Sequence, residues 1–272
     1  MFTNQPINQS TNQLINYTLY LADNCLILGH RNSEWCGHGP VLEQDIAITN
    51  ISLDLIGQAR NFYQYAAELI DQNSNQLVNQ STGQLITEDS LAYLRDAHDF
   101  KNCLLTEQPN GDWGKTILRQ FFFCVYQFLL YRQLKNSKDA QLAAIAEKAL
   151  KEVTYHVRWS SEWVIRLGDG TEESRSRMIK AIDDLWMFTG ELFVPATYEQ
   201  EAAADGSGVD STSLKNDWIQ KIKTIFEEAT LPVPKEGGWM QSGGKEGRHT
   251  EYLGYILAEM QFLQRAYPNC EW

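Results

Sequence analysis

The chain has 272 residues, 43% of them hydrophobic, and a formal net charge of −12. This length and composition are sufficient for one substantial hydrophobic core. A chain this acidic lacks the concentrated basic surface that nucleic acids and anionic membranes require, so we expect neither as a partner.

The apolar runs and the cysteines indicate a cytoplasmic protein. The most apolar run, FFFCVYQFLLY at 121–131, is about half as long as the ~20 residues of a membrane-spanning helix. The N-terminus shows no signal-peptide pattern. The five cysteines are spread along the chain without a C-x-x-C pair. They therefore predict reduced structural thiols, with no zinc or iron–sulfur site.

Long stretches without helix-breaking residues indicate long helices. No proline occurs between Pro40 and Pro109 or between Pro109 and Pro195, and no glycine occurs between Gly114 and Gly168. Apolar residues recur there at steps of three and four, and no alternating strand pattern is evident. The predicted helices, in chain order, are 14–36, 41–71, 88–106, 112–136, 139–167, 171–192, 212–229 and 248–266. Long helices joined by short turns predict an all-α, antiparallel bundle with extra C-terminal helices.

Two near-identical Asn/Gln-rich segments interrupt this pattern. NQPINQSTNQLIN at 4–16 and NQLVNQSTGQLITE at 75–88 contain too little apolar surface to form a core. We interpret residues 1–16 as an N-terminal extension and 72–87 as a loop insertion within a single domain over 17–272. Residues 199–211, EQEAAADGSGVDS, are predicted to be a flexible connection.

One polar pattern occurs in two of the predicted helices. DLIGQAR begins at Asp54 and EVTYHVR begins at Glu152, and each has a polar side chain four residues later, Gln58 and His156 respectively. On a helix, positions i and i+4 lie on the same face. Each helix therefore carries a polar pair on a mostly apolar face, as in the outline of a ferritin-like metal bundle.

The spacing nevertheless departs from that of a di-iron site. Such a site takes E-x-x-H from each of two helices, but Gly57 and Tyr155 occupy the positions where the histidines would stand. The E-x-x-H sequence occurs once in the chain, from Glu246 to His249, in a glycine-rich segment that we interpret as a helix entry.

These observations leave two alternatives for Asp54, Gln58, Glu152 and His156. We favour a buried, metal-free polar network, in which a buried carboxylate needs compensation. His156 is a candidate partner for Glu152, and further candidates are Lys151, Arg60 and Arg158. The alternative is a degenerate metal site. No other catalytic motif is evident, and the aromatic residues, which include Trp159, Trp163, Trp186 and the run from Phe121 to Phe123, are interpreted as core.

Four long blocks of the chain resemble one known family. They are YTLYLADNCLILGHRNSEWCGHGPVLEQDIAITNISLDLIGQARNFYQYAAEL at 17–69, LTEQPNGDWGKTILRQFF at 105–122, KALKEVTYHVRWSSEWVIRLGDGTEES at 148–174 and GGKEGRHTEYLGYILAEMQFLQRAYP at 243–268. In this order they resemble the C subunits of the phenylacetyl-CoA epoxidase (ring-1,2 monooxygenase) family, which are ferritin-like. The two Asn/Gln-rich segments depart from the family pattern.

The resemblance implies a fold, a role and a set of partners. The family complex adds one atom of O₂ across the aromatic ring of phenylacetyl-CoA in aerobic phenylacetate degradation. The resemblance implies that a separate catalytic subunit holds the di-iron site and that a reductase subunit uses NADPH, FAD and an iron–sulfur cluster. It also implies that chains of the present type support the catalytic subunit. On this basis we expect no cofactor or catalytic residue on this chain, the catalytic subunit as its partner, and small and reductase subunits as further partners. Self-association of the isolated chain stays open.

Two other hypotheses remain at this stage. One is an independent ferritin-like di-metal oxygenase or iron-binding protein with an atypical ligand set, in which carboxylates such as Asp23 or Asp45 join Asp54, Glu152 and His156. The other is a helical interaction module unrelated to oxygenases.

Overall fold

The computed structural model describes residues 9–74, 86–235, 237–268 and 270. Within these ranges the chain is all-α and has no strand, which confirms the predicted fold class. The α-helices are α1 Gln9–Ser33, α2 Leu42–Ser74, α3 Glu88–Tyr93, α4 Trp113–Leu134, α5 Ala140–Gly168, α6 Glu172–Leu185, α7 Thr197–Asp205, α8 Lys215–Glu228, α9 Glu251–Met260 and α10 Phe262–Ala266. None of the helices in these ranges is long and apolar enough to cross a membrane.

Helices α2 and α5 are antiparallel neighbours. Trp159 Nε1 of α5 donates to Gln44 Oε1 near the start of α2, at 3.2 Å. At the other end of α2, Tyr65 donates from its hydroxyl to Asp139, the residue just before α5, at 2.5 Å.

Helices α1 and α4 form the second antiparallel pair. Trp35 Nε1, just beyond α1, donates to Thr116 Oγ1 near the start of α4 at 2.9 Å. Cys25 Sγ lies 3.4 Å from the hydroxyl of Tyr131, further along α4. Short turns join α1 to α2 and α4 to α5, and one long crossover joins α2 to α4. This is the connectivity of a ferritin-like bundle.

Side-chain N-caps stand at the starts of α4 and α5, the two long helices of the second half of the bundle. Asp112 accepts a hydrogen bond from Lys115 N at 2.9 Å at the start of α4. Asp139 accepts one from Leu142 N at 2.8 Å at the start of α5. These carboxylates satisfy N–H groups that have no partner inside the helix, which fixes where each helix begins.

The core is continuous along the bundle and is covered on one side by α6 and α8. Phe121, Phe122 and Phe123 lie buried in the middle of α4, as predicted for core aromatics. Trp218 of α8 is also buried, and its Nε1 donates to the carbonyl of Phe122 at 2.9 Å. Trp159 is buried as well, whereas Trp163 and Trp186 are partly buried against the core.

The prediction of one helix over 88–106 is wrong, because α3 ends at Tyr93. Only a short 3₁₀ turn, Ala97–Asp99, follows before α4. Backbone N–H groups of this crossover donate to side chains of distant segments: Lys101 to Asp23 at 2.8 Å, Cys103 to Asn24 at 2.9 Å and Leu104 to Glu191 at 2.7 Å. These bonds replace the helical hydrogen bonds that the local sequence favours.

The segment 199–211, predicted as a flexible connection, also differs from expectation. Its first seven residues complete α7, and Ser211 is buried at the start of a 3₁₀ turn, Ser211–Leu214. Glu199 is buried and lies 2.9 Å from Nζ of Lys245. This buried ion pair holds α7 against the segment before α9. Similarly, the helix predicted over 171–192 ends at Leu185, and two 3₁₀ turns follow it.

Both Asn/Gln-rich segments lie partly outside the described residues. Helix α1 begins at Gln9, so the predicted extension over 1–16 overlaps it, and residues 1–8 lie outside the described ranges. In the predicted insertion over 72–87, residues 72–74 complete α2 and Thr87 caps α3, whereas residues 75–85 lie outside.

Candidate functional site

The four predicted site residues meet between α2 and α5. His156 Nε2 lies 3.0 Å from Asp54 Oδ2, and Gln58 Nε2 donates to Glu152 Oε2 at 2.8 Å. Because the two helices are antiparallel, each residue of one i, i+4 pair faces a residue of the other. His156, one of the candidate partners for Glu152, instead pairs with Asp54 across the interface.

The two pairs extend from the bundle interior to its surface. His156 is fully buried and Gln58 is 2% exposed, whereas the side chain of Asp54 is 35% exposed. A polar cleft of about 280 Å³ opens at the exposed end, with Gly57 and Arg60 among its other lining residues. The predicted buried network thus describes the inner half of the arrangement only.

A second set of polar side chains continues the network to the centre of the bundle. Gln58 Oε1 accepts from Gln127 Nε2 at 3.0 Å and lies 3.4 Å from the hydroxyl of Tyr131. Gln127 Nε2 also lies 3.2 Å from Cys25 Sγ and 3.1 Å from the Tyr131 hydroxyl. Together with Glu152, these residues come from all four long helices.

Sequence reasoning missed Cys25, Gln127 and Tyr131. Gln127 and Tyr131 stand four residues apart inside the most apolar run of the chain, so they form an i, i+4 pair like the two that the sequence revealed. That spacing could have identified them. Cys25 has no such partner on α1, and only the packing of α1 against α4 places it there.

The central side chains are neutral at ordinary pH. Burial raises the pKa of the Cys25 thiol to about 12. Burial also raises the pKa of Tyr131 well above its usual value. The centre therefore contains a protonated thiol, a protonated phenol and two amides that bond to one another.

This donor set does not fit a pair of iron ions. A di-iron site in a helical bundle uses four carboxylates and two imidazoles. Among the described residues, no group of three or more His, Cys, Asp or Glu side chains is arranged to hold a metal ion. Within the described ranges, Glu152 is the carboxylate that hydrogen-bonds to a central amide, and Gln58 already donates to it.

The other two carboxylates that could have completed a metal site face away from these pairs. Asp23 is buried and bonds to Arg95, to the hydroxyl of Tyr63 at 2.5 Å and to Lys101 N at 2.8 Å. Asp45 accepts from backbone N–H groups in the turn between α1 and α2, and these bonds lower its pKa.

The E-x-x-H sequence is divided between two unrelated contacts. Glu246 is exposed and pairs with Arg248 at 2.6 Å, whereas the side chain of His249 is 4% exposed and points inward. His249 directly precedes Thr250, the N-cap of α9. The interpretation of this sequence as a helix entry agrees with that position.

A buried glutamate that the sequence did not reveal, Glu107, contacts the residues at the start of α9. Glu107 Oε2 lies 2.9 Å from His249 Nδ1, and Glu107 Oε1 accepts from Thr250 N at 2.6 Å. His249 Nε2 lies 2.9 Å from the carbonyl of Phe100. Both ring nitrogens therefore face oxygen atoms of other groups, a geometry that favours the doubly protonated imidazolium. Burial alone opposes this protonation, but the bonds to Glu107 and Phe100 outweigh it, so the pKa of His249 is raised.

A larger groove lies away from all of these residues. It has a volume of about 690 Å³ and is formed by α4, α5 and α8, with apolar walls that include Phe128, Leu129 and Ile165. None of the four predicted site residues lines it.

Comparison with known proteins identifies the family. The sequence model of one family, described as PaaA_PaaC, phenylacetic acid catabolic protein, matches residues 2–272. The chain belongs to this family. It is also 48% identical over 261 residues to the C subunit of the 1,2-phenylacetyl-CoA epoxidase of Escherichia coli strain K12, and the alignment covers 96% of this chain and 100% of that protein. The resemblance found in the sequence is confirmed.

Proposed function

We propose that this chain is a structural, non-catalytic subunit of a multicomponent 1,2-phenylacetyl-CoA epoxidase and acts in the cytoplasm. Its direct partner is the di-iron catalytic subunit, and the small and reductase subunits complete the complex. The FAD, the iron–sulfur cluster, the NADPH site and the two irons belong to those other subunits. The identity to the Escherichia coli epoxidase protein, over the full length of that protein, supports this assignment.

The neutral network at the bundle centre carries the proposal. Cys25, Gln58, Gln127 and Tyr131 occupy the space between the four long helices, where Gln127 Nε2 bonds to the other three side chains. Two iron ions there would require anionic ligands to balance their charge. A subunit built in this way keeps the bundle architecture but leaves oxygen activation to its partner.

The physical role of such a subunit is to hold the catalytic bundle in shape. Iron ligands function only when the helices that carry them stay in register, and an obligate partner stabilises that register by burying an apolar face. An interface of this kind buries on the order of 2,000 Å² or more.

Reconstitution tests the proposal directly. The catalytic, small and reductase subunits are assayed for epoxidation of phenylacetyl-CoA with and without this chain. We expect product only when the chain is present, and an Asp54→Ala or Glu152→Ala variant that still joins the complex should support normal turnover. Full activity without this chain would refute a supporting role.

Iron analysis separates this function from an independent ferritin-like di-metal protein. The purified chain is loaded with ferrous iron under anaerobic conditions, desalted and analysed for bound metal. We expect far less than one iron per chain. About two irons per chain, lost in Asp54→Ala or Glu152→Ala, would establish the alternative.

A further inference from the structure

Helix α2 is apolar on two opposite sides. Its inner side contributes buried residues to the core, namely Ala47, Ile48, Ile51, Leu55 and Ala59. On the outer side, Leu42 is 72% exposed, Ile46 is 52% exposed and Leu53 is 61% exposed. A helix at the surface of a complete globular protein has a polar outer side, whereas one that is apolar all round is covered by protein.

The exposed line of α2 has the spacing of a helix-packing seam. Between residues 44 and 59, the exposed positions are Ile46, Asn50, Leu53 and Gly57, at steps of four, three and four. None of them is charged. With Leu42 one turn earlier, the line is about 22 Å long, enough for four turns of a facing helix. We call Leu42, Ile46, Asn50, Leu53 and Gly57 the outer α2 face.

Three carboxylates beside this face already have partners within the chain. Asp45 accepts from two backbone N–H groups of the preceding turn. Asp54 pairs with His156, and Glu152 accepts from Gln58. Removing water from this surface would therefore leave none of these carboxylates without a partner, a condition that a stable interface must meet. This also gives the four polar residues found in the sequence a role, at the edge of an interface.

We propose that the outer α2 face is the docking surface for an apolar helix of the catalytic subunit. The proposal rests on the proposed function, which supplies the partner. The facing helix carries apolar residues at steps of three and four, and one of its side chains enters the 280 Å³ cleft beside Gly57, where a Cβ atom would meet nothing within 4 Å. Glu43 is exposed at one end of the face, whereas Arg60, exposed at the other end, already lies 3.5 Å from Glu88 Oε1. The partner helix therefore carries a cation near Glu43.

A matched pair of variants tests the surface. Leu53→Arg places a charge at the centre of the outer α2 face, and Leu263→Arg places the same charge on α10, where Leu263 is 46% exposed. Binding of each purified variant to the purified catalytic subunit is measured by titration, with circular dichroism and thermal unfolding to confirm folding. We expect Leu53→Arg to raise the Kd by about 100-fold and Leu263→Arg to leave it within about threefold. Ile46→Arg should behave like Leu53→Arg.

The outcomes distinguish this proposal from the one on which it rests. If the unmodified chain does not bind the catalytic subunit, both fail. If it binds and neither Leu53→Arg nor Ile46→Arg weakens binding, the supporting role stands and the outer α2 face is not its docking surface. If Leu53→Arg dissociates a homodimer in sedimentation but leaves binding to the catalytic subunit unchanged, the face pairs with a second copy and the proposal is overturned.

Discussion

Gln58 lies where the four long helices meet. Its side-chain carbonyl accepts from Gln127, and its side-chain amide donates to Glu152, so one residue connects α4 to α5 across α2. With 2% exposure, it has no access to water as a substitute partner. Removing its amide would take one acceptor from the buried Gln127 amide and the protein donor from Glu152, and lost hydrogen bonds of this kind are costly.

We expect Gln58→Ala to lower the free energy of unfolding by about 2–4 kcal/mol, because it removes these bonds and leaves a small cavity. Urea denaturation followed by circular dichroism measures the change. Gln133→Ala on the exposed side of α4 is the control and should stay within about 0.5 kcal/mol. Equal effects of the two substitutions would show that the central network contributes little to stability.

His249 gives the molecule a pH-dependent contact. Its pKa is raised in the folded protein, so its contribution to stability is complete below the unfolded pKa of about 6.5 and is lost as the pH rises through the folded pKa. We expect His249→Gln to destabilise the protein more at roughly pH 5.5 than at roughly pH 9. Urea midpoints at the two pH values measure this difference.

His30 should show the opposite pH dependence of stability. Burial lowers its pKa, so the stability that it contributes is lost as the pH falls. His30→Gln should therefore have its smaller effect at the acidic pH. The same pH trend for both variants would contradict the assignment of the charged form to His249.

At the level of single residues, the sequence revealed those polar groups that repeat at helical spacing. Asp54, Gln58, Glu152 and His156 were found in this way, and the structure brings all four together. Their pairing could not be predicted, because it depends on the register between α2 and α5. Glu107 and Asp23 were not recognised as buried partners for the same reason, since their contacts come from distant parts of the chain.

The helices predicted from local sequence match the observed ones closely where the helices are long and less closely in the crossover. The gaps between prolines and glycines predicted α1, α2, α4 and α5 to within a few residues at most of their ends. The helix predicted over 88–106 failed because Asp23, Asn24 and Glu191 satisfy its backbone N–H groups. No local pattern carries that information, because the acceptors are contributed by α1 and by a turn after α6.

Two glycines within helices should respond to alanine in opposite directions. At Gly57, in the middle of α2, an added Cβ meets nothing within 4 Å, so Gly57→Ala should stabilise the isolated chain by about 0.5–1 kcal/mol. At Gly168, the last residue of α5, the added Cβ would lie 2.5 Å from the carbonyl oxygen of Ala229. Gly168→Ala should therefore destabilise the chain by about 1–3 kcal/mol. Thermal unfolding of the two variants measures the sign of each stability change. A stabilised Gly168→Ala variant would contradict the close approach of α5 to the end of α8.

At the scale of the whole molecule, one buried carboxylate connects the first helix, the second helix and the crossover. Asp23 of α1 is fully buried and bonds to Tyr63 of α2 and to Arg95 and Lys101 of the crossover. The crossover has little regular structure of its own. The bonds to Asp23 therefore help to hold it against the bundle.

We expect Asp23→Asn to cost about 3–5 kcal/mol, since the amide leaves the Arg95 charge buried without a counter-charge. Guanidinium denaturation measures the loss, and hydrogen exchange should show the greatest increase in the crossover, 94–112. Asp217→Asn is a matched control, because Asp217 pairs with Arg132 at 3.1 Å in solvent. It should cost no more than about 1 kcal/mol. A loss spread evenly over all helices would show that Asp23 has no special connection to the crossover.

The burial of the thiols has a consequence for oxidative damage. Hydrogen peroxide attacks thiolates, and burial raises the pKa of Cys25 and of Cys124 to about 12 each, which leaves almost no thiolate at either residue. Cys36 and Cys270 are exposed. Peroxide released during oxygen chemistry nearby would therefore modify the periphery of this chain first, and the thiol at the junction of the four helices would stay reduced.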